Sequence, residues 1–172
     1  MSLPQLVRLV GELPDCPGPT DLEALGRRWP GGLETAALCG LAEFSEEAYT
    51  RRCLGRAAGW ELLVVGWLPG QRTPVHGHGG SWGVTCLLQG LLEEVRYAPV
   101  DDGVGPVGRR KFAPGEVFHE TPETIHHVEH AGGGRAVSLH LYAPPLRCME
   151  GYPVRLGRAI PRDPDGATRT DR

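Results

Sequence analysis

The chain has 172 residues and a formal net charge of −3 at pH 7. That length suits one domain with a sizeable core, and the charge gives no reason to expect nucleic acid or an anionic membrane as a partner. No apolar run approaches the ~20 residues that span a bilayer, and no basic segment precedes a long apolar one near the N-terminus, so the sequence predicts neither a membrane span nor a signal peptide.

The five cysteines are scattered along the chain and form no C-x-x-C pair. An odd, unclustered set is typical of reduced thiols in a cytoplasm rather than of a disulfide framework. A structural zinc site built on thiolates is therefore not expected. We expect a cytoplasmic protein with free thiols and a monomeric state, although the sequence leaves an oligomer open.

The first part of the chain, residues 1–57, has patterns that predict helices. A first helix is indicated by apolar residues at helical intervals, namely Leu3, Leu6, Leu9, Val10 and Leu13. Thr20 or Asp21 can cap a second helix. The stretches LETAALCGLAEF and SEEAYTRRCL predict a third and a fourth.

The pattern changes in residues 58–155, where short apolar runs such as WELLVVGWLPG and VTCLLQG alternate with glycine and proline. This spacing predicts a β-barrel or β-sandwich with many tight turns. Residues 156–172 are polar and predict a loose C-terminal tail. We therefore expect a single domain over residues 1–172, mainly β, with an N-terminal set of helices.

Two histidines, His76 and His78, stand two apart in the stretch PVHGHGGSWGVTC. On a strand they would face the same side and could bind one ion, although such a pair is often only a surface turn. One hairpin later, PGEVFHETPETIHHVEH could bring His126 or His127 across the barrel as a third ligand. Three imidazoles with open positions suit Fe, Zn, Cu or Ni, whereas Mg or Ca would require oxygen ligands.

A third pattern lies in the stretch AVSLHLY, where Ser138, His140 and Tyr142 alternate and so share one face of a predicted strand. A polar face turned inward is costly unless it is hydrogen-bonded. A chain from the Ser138 hydroxyl through the His140 ring to the Tyr142 phenol would fix the imidazole tautomer and orient the phenol. The alternatives are a purely structural network, or a strand with its polar face in water.

Together these residues resemble the cupin superfamily and, within it, the thiol dioxygenases, most closely the cysteine dioxygenase family. The first cupin motif is G-x5-H-x-H-x3,4-E-x6-G, and its places are taken by Gly70, His76, His78 and Gly90. Gly83 stands where that motif has glutamate. Loss of this glutamate marks the thiol dioxygenases, in which three histidines alone hold the iron. The resemblance extends over roughly residues 45–150.

The resemblance implies a set of site residues. The ligands of Fe(2+) would be His76, His78 and His126, with His127 as the fallback for the third. The stretch SLHLY resembles the family's S-x-H-x-Y triad, which implies catalytic roles for Ser138, His140 and Tyr142. The stretch YTR resembles the segment that binds the substrate carboxylate, which implies Arg51, assisted by Tyr49.

The implied reaction is the oxidation of L-cysteine by O2 to cysteine sulfinic acid, a step of cysteine catabolism. One alternative is a dioxygenase for 3-mercaptopropionate or another thiol acid, and Arg51 favours cysteine because that relative lacks the arginine. Others are a non-catalytic metal-binding cupin and a zinc or nickel cupin. Animal relatives have a cysteine near the position of Gly83, crosslinked to the tyrosine that matches Tyr142. Here the position is glycine and Cys86 lies on the opposite strand face, so we predict no Cys–Tyr crosslink.

Overall fold

A computed structural model describes residues 1–147 and 149–155, and the tail predicted for 156–172 lies outside these described residues. The helices are α1 (Leu3–Gly11), α2 (Pro19–Arg28) and α3 (Thr35–Cys39). The strands are β1 (Thr50–Arg56), β2 (Glu61–Trp67), β3 (His76–Gly77), β4 (Trp82–Gln89), β5 (Leu92–Val100), β6 (Gly103–Phe112), β7 (Val117–Glu120), β8 (Ile125–His130), β9 (Ala136–Ala143) and β10 (Glu150–Gly151). Within the described residues, no helix is long and apolar enough to cross a membrane.

The strands form two five-stranded sheets that exchange strands along the chain. The first sheet has the order β1-β2-β9-β4-β7 and the second the order β10-β3-β8-β5-β6. Their ladders are antiparallel, as in β2 with β9 and in β5 with β8. This is a jelly-roll arrangement, and the prediction of a mainly β fold with N-terminal helices is confirmed.

The central strands β2, β9 and β4 of the first sheet are buried on both faces because the helices cover the outer side. Apolar side chains of the sheet and the helices form one cluster there, including Leu62, Val84, Leu139, Leu141, Leu6, Val10, Leu22 and Trp29. On the inner side a second cluster joins the two sheets through Leu63, Val65, Trp67, Leu87, Tyr142, Leu92 and Val128. Since side chains alternate along a strand, β9 directs its polar residues into the barrel and its leucines toward the helices.

The second helix begins before both of the cap residues that the sequence indicates, Thr20 and Asp21. Pro19 is the first residue of α2, and the backbone N–H of Gly18 donates to Asp21 Oδ2 at 2.9 Å. Proline suits the first helical position because it lacks the N–H that would be unpaired there. Asp21 therefore stabilises the start of the helix from its first turn rather than as the residue that precedes it.

The predicted fourth helix is wrong. Residues 50–56 form the edge strand β1, which pairs with β2 and has a bulge between Cys53 and Gly55. Ser45, the first residue of that predicted helix, instead accepts a hydrogen bond from the Glu47 N–H across a turn. The free edge of β2 offers β1 a full ladder of backbone hydrogen bonds, which outweighs a weak local preference for helix. The helical part thus ends at Cys39 rather than near residue 57.

Candidate metal centre

Three buried histidines come together inside the barrel. His76 lies directly opposite His126 in the pairing of β3 with β8, and His78 is the first residue after β3. The ring centroids are 4.8 Å apart for His76 and His126, 4.9 Å for His78 and His126, and 5.2 Å for His76 and His78. One ring nitrogen from each lies within 4.8 Å of the others, a spacing that a single ion can bridge.

The other candidate for the third ligand, His127, lies outside this cluster. It is the next residue on β8 and so faces the opposite side of the sheet from His126. Its Nδ1 is 2.9 Å from the Tyr97 hydroxyl and its Nε2 is 3.7 Å from a carboxylate oxygen of Glu129. The structure therefore brings His126, and not His127, to the two histidines of the H-x-H pair.

Hydrogen bonds leave one nitrogen free on two of the rings. His76 donates from Nδ1 to the Pro74 carbonyl at 2.9 Å, and His126 donates from Nδ1 to Glu94 Oε1 at 2.7 Å. Both rings thus keep Nε2 for a ligand. His78 is fully buried, and neither of its nitrogens has a hydrogen-bond partner among the described residues. Such an orphaned imidazole is costly in a protein interior, and a metal ion in the cluster would satisfy it.

The electrostatics keep these rings in the form that binds metal. Burial, followed by repulsion from His126, lowers the pKa of His76 to about 4 and that of His78 to about 2. A neutral imidazole is the form that coordinates an ion. Burial alone would raise the pKa of Glu94, but its hydrogen bonds with His126 and Arg96 lower it overall, so Glu94 remains a carboxylate that orients His126.

The hydrogen-bonded chain expected on β9 is present. Ser138 Oγ lies 2.7 Å from His140 Nε2, and His140 Nδ1 lies 3.1 Å from the Tyr142 hydroxyl. All three side chains are buried, which excludes a polar face in water. The ring of Tyr142 stacks at 5.7 Å on His78, so the chain of polar residues adjoins the histidine cluster. The Trp67 indole extends it by donating to Ser138 Oγ at 2.9 Å.

Arg51 lies on β1, where its side chain is exposed and its Nη1 contacts Met149 Sδ at 3.3 Å. It pairs with Val65, whose side chain belongs to the inner cluster, and it lines two cavities of about 410 and 750 Å³. Burial first, and then the positive charge of Arg51, lower the pKa of His140 to about 3, so this charge acts on the barrel interior. Tyr49 lines the larger cavity and stacks on Trp67 at 4.8 Å. Both sequence-predicted residues therefore lie near the candidate site.

Residues 34–155 match the family described as cysteine dioxygenase type I. The chain belongs to this family. The matched residues contain every candidate site residue, from Tyr49 to Tyr142, whereas α1 and α2 precede them. The two helices that cover the outer face of the first sheet thus lie outside the matched residues.

A family relative from Danio rerio, cysteine dioxygenase type 1, is 28% identical over 123 residues, which cover 67% of this chain and 61% of the relative. The chain thus spans 61% of that relative's length in the alignment. Two solved structures share the fold. A Klebsiella pneumoniae protein with a double-stranded β-helix domain has a TM-score of 0.56 at 15% identity, covering 66% of this chain and 87% of its own. The Schizosaccharomyces pombe Cnp3 cupin domain has a TM-score of 0.51 at 15% identity, covering 62% and 71%.

Three polar residues of this family member were missed by reasoning from the sequence. Glu94 holds His126, Thr85 lies 2.9 Å from His140 Nδ1, and Glu120 accepts a hydrogen bond from Thr85 at 3.1 Å. Thr85 had a signal, because it stands two residues after Gly83 and so shares its strand face. The two glutamates had none, since nothing local indicates that an acid in a polar stretch is buried.

Proposed function

We propose that the chain is an Fe(2+)-dependent thiol dioxygenase that oxidises L-cysteine with O2 to cysteine sulfinic acid. The observation that carries the proposal is the cluster of three buried histidines with no carboxylate in the group, set beside the polar chain of β9. Membership of the cysteine dioxygenase type I family supports an oxidoreductase. Both atoms of O2 join the thiol sulfur, so the reaction balances without a further reductant.

The histidines fit a divalent ion through Nε2 of His76, Nε2 of His126 and a ring nitrogen of His78. Bound Fe(2+) would supply the redox chemistry and the coordination positions for the thiolate and O2. The imidazoles contribute no negative charge of their own. They therefore favour an anionic thiolate over a neutral thiol in the site.

Two further groups would place the substrate. The guanidinium of Arg51 would pair with the substrate carboxylate, since it combines a permanent positive charge with donors in a planar fork. Tyr142 would hydrogen-bond the molecule held at the histidines, with its phenol oriented by His140 and Ser138. Tyr49, stacked on Trp67, would close the same side of the cavity.

An assay of the Fe(2+)-loaded protein with L-cysteine and with 3-mercaptopropionate tests the proposal. We expect O2 consumption and sulfinic acid formation with a higher kcat/KM for cysteine. Equal or faster turnover of 3-mercaptopropionate would reassign the substrate to that thiol acid. Stoichiometric zinc in the protein as purified, with no thiol oxidation after iron loading, would instead favour a zinc cupin or a non-catalytic metal-binding cupin.

A matched pair of arginine variants tests the carboxylate site. Arg51 and the neighbouring Arg52 lie on opposite faces of β1, and Arg52 donates to the Leu41 carbonyl at 3.2 Å. We expect Arg51→Ala to lower kcat/KM for cysteine by about 10- to 100-fold, the usual range for a lost charge-assisted hydrogen bond. Arg52→Ala carries the same loss of charge on the same strand and should have little effect. Similar effects of the two substitutions would remove Arg51 from the substrate site.

A further inference from the structure

The hydrogen-bonded chain on β9 continues across the sheet to a buried acid, and the chemistry of the Trp67 indole fixes the direction of its first hydrogen bond. The indole N–H of Trp67 can only donate, so Ser138 Oγ accepts from it at 2.9 Å. The Ser138 hydroxyl proton is then free to go to His140 Nε2, which lies 2.7 Å away. Donation from Ser138 would make Nε2 of His140 an acceptor.

The hydrogen bond at one nitrogen of the His140 ring determines the role of the other nitrogen. The His140 ring is neutral at physiological pH because burial, followed by the charge of Arg51, lowers its pKa to about 3. A neutral imidazole with an accepting Nε2 must carry its proton on Nδ1. That Nδ1–H faces two oxygens, Thr85 Oγ1 at 2.9 Å and the Tyr142 hydroxyl at 3.1 Å. Both of these oxygens therefore act as acceptors toward His140.

This series of hydrogen bonds ends at Glu120. Since Thr85 accepts from His140, its own hydroxyl proton goes to Glu120 Oε1 at 3.1 Å. Glu120 is 1% exposed, and burial, with the nearby charge of Glu94, raises its pKa to about 8. Its Oε2 has no hydrogen-bond partner among the described residues, so an acid proton carried there would leave Oε1 as the acceptor for Thr85. Oε1 can accept from Thr85 in either protonation state.

Glycine at position 83 makes room for this acid. Gly83 lies between Glu120 on β7 and Tyr142 on β9 in the strand register. A Cβ at this position would overlap Glu120 Oε2 and approach Tyr142 Cε1 to 3.1 Å. The carboxyl of Glu120 thus occupies the space beside the tyrosine ring that a side chain at position 83 would take.

We propose that Glu120 is a positioning residue that holds His140, through Thr85, as the Nδ1–H tautomer. In this state the Tyr142 hydroxyl accepts from His140 and keeps its own proton for the molecule bound at the histidine cluster. Without an acceptor at position 120, the Thr85 and Tyr142 hydroxyls can both turn to donate to Nδ1, and Nε2–H then donates to Ser138. The phenol proton would then be used in a hydrogen bond to His140 and would not be available to the bound molecule.

The tautomer can be read by long-range ¹H–¹⁵N correlation spectra of the metal-free protein, in which the two ring nitrogens of each tautomer differ in chemical shift. We expect Nδ1–H for His140 in the wild type and in Glu120→Gln, because the glutamine amide oxygen can accept from Thr85. We expect a shift toward Nε2–H in Glu120→Leu and in Thr85→Val. Thr85→Val is nearly isosteric, so it keeps the test decisive if Glu120→Leu fails to fold. An Nε2–H tautomer in the wild type, or Nδ1–H in both apolar variants, would overturn the proposal.

The use of the phenol proton in thiol oxidation rests on the proposed function, whereas the tautomer does not. In the Fe(2+)-loaded protein we expect Glu120→Leu to lower kcat by about 10-fold or more, and Glu120→Gln to retain a larger share of kcat. Absence of thiol oxidation by the wild type would refute the proposed function and leave the spectra to decide the tautomer. Loss of activity in Glu120→Leu with an unchanged tautomer would refute the positioning role.

Discussion

Two of the three histidines in the cluster are oriented by a hydrogen-bond partner that the sequence patterns did not indicate. The Pro74 carbonyl orients His76 and the Glu94 carboxylate orients His126, which frees one nitrogen on each ring. His78 has no such partner among the described residues and is held by packing alone. A buried imidazole with two unpaired nitrogens should depend most on an added ligand.

The metal content of two neighbouring histidine variants tests which residue completes the cluster. We expect His126→Ala to lose most of the bound metal, because two imidazoles hold a divalent ion much more weakly than three. His127→Ala removes a histidine from the same strand but from the opposite face. It should keep a metal content near that of the wild type, measured by elemental analysis after loading with Fe(2+) under anaerobic conditions. Equal losses in the two variants would contradict the geometry of the cluster.

The sequence predicted a contact in the site only where the two hydrogen-bonded residues lie close together along the chain. Ser138, His140 and Tyr142 were predicted to hydrogen-bond because a two-residue period on one strand is visible locally. The contacts of Thr85 with Glu120 and of Glu94 with His126 join strands more than thirty residues apart. Only the sheet register creates such pairs, so no local pattern could have indicated them.

At the scale of elements, β1 shows why the helical part was predicted too long. Arg51 and Arg52 lie on opposite faces of this strand, but both are exposed, and neither face is apolar enough to give a clear two-residue period. An edge strand with one neighbour is half exposed, and its sequence is correspondingly polar. The long inner strands β2 and β9 are buried throughout, and their apolar runs predicted them correctly.

The packing of α2 on the first sheet leads to a prediction about stability. A Cβ on Gly26 would lie 2.9 Å from Val84 Cγ2 and 3.1 Å from His119 Cε1. We expect Gly26→Ala to lower the free energy of unfolding by about 1–3 kcal/mol through overpacking, even though alanine favours a helix by about 1 kcal/mol over glycine. Urea denaturation measures this change.

Gly11 provides the matched control, since it ends α1 and a Cβ there would meet nothing within 4 Å. Gly11→Ala should leave the free energy of unfolding unchanged or raise it slightly. If Gly26→Ala also raised it, the close approach of α2 to the sheet would be contradicted.

At the scale of the whole molecule, the described helices and the barrel interior contact opposite faces of the first sheet. The outer face of the first sheet is apolar and packs against the helices. The inner face carries buried polar and titratable groups. Burial shifts the pKa values of several of these groups from their ordinary values, among them Glu120 and His140. The stability of the folded chain should therefore depend on pH through the groups in the barrel interior.

Glu120 gives this dependence a clear sign. Its pKa is about 8 in the folded chain against a usual 4.5, so between these pH values the folded state holds a proton that the unfolded state has released. Raising the pH through this window therefore weakens the folded state. Glu120→Gln cannot ionise. The free energy of unfolding of this variant, relative to the wild type, should consequently rise between about pH 5 and pH 8 by an amount on the order of a few kcal/mol.

Urea denaturation of the metal-free protein at pH 5, 6.5 and 8 measures the change, and the other titrating groups cancel in the difference between variant and wild type. Glu116 is the control, because its side chain is 42% exposed and the Ala113 N–H lowers its pKa. Both states of the chain have therefore already released its proton at pH 6.5, and the effect of Glu116→Gln should not grow from there to pH 8. A difference for Glu120→Gln that also stayed constant would mean that Glu120 is ionised in the folded chain. In that case its buried charge would need a partner near Oε2.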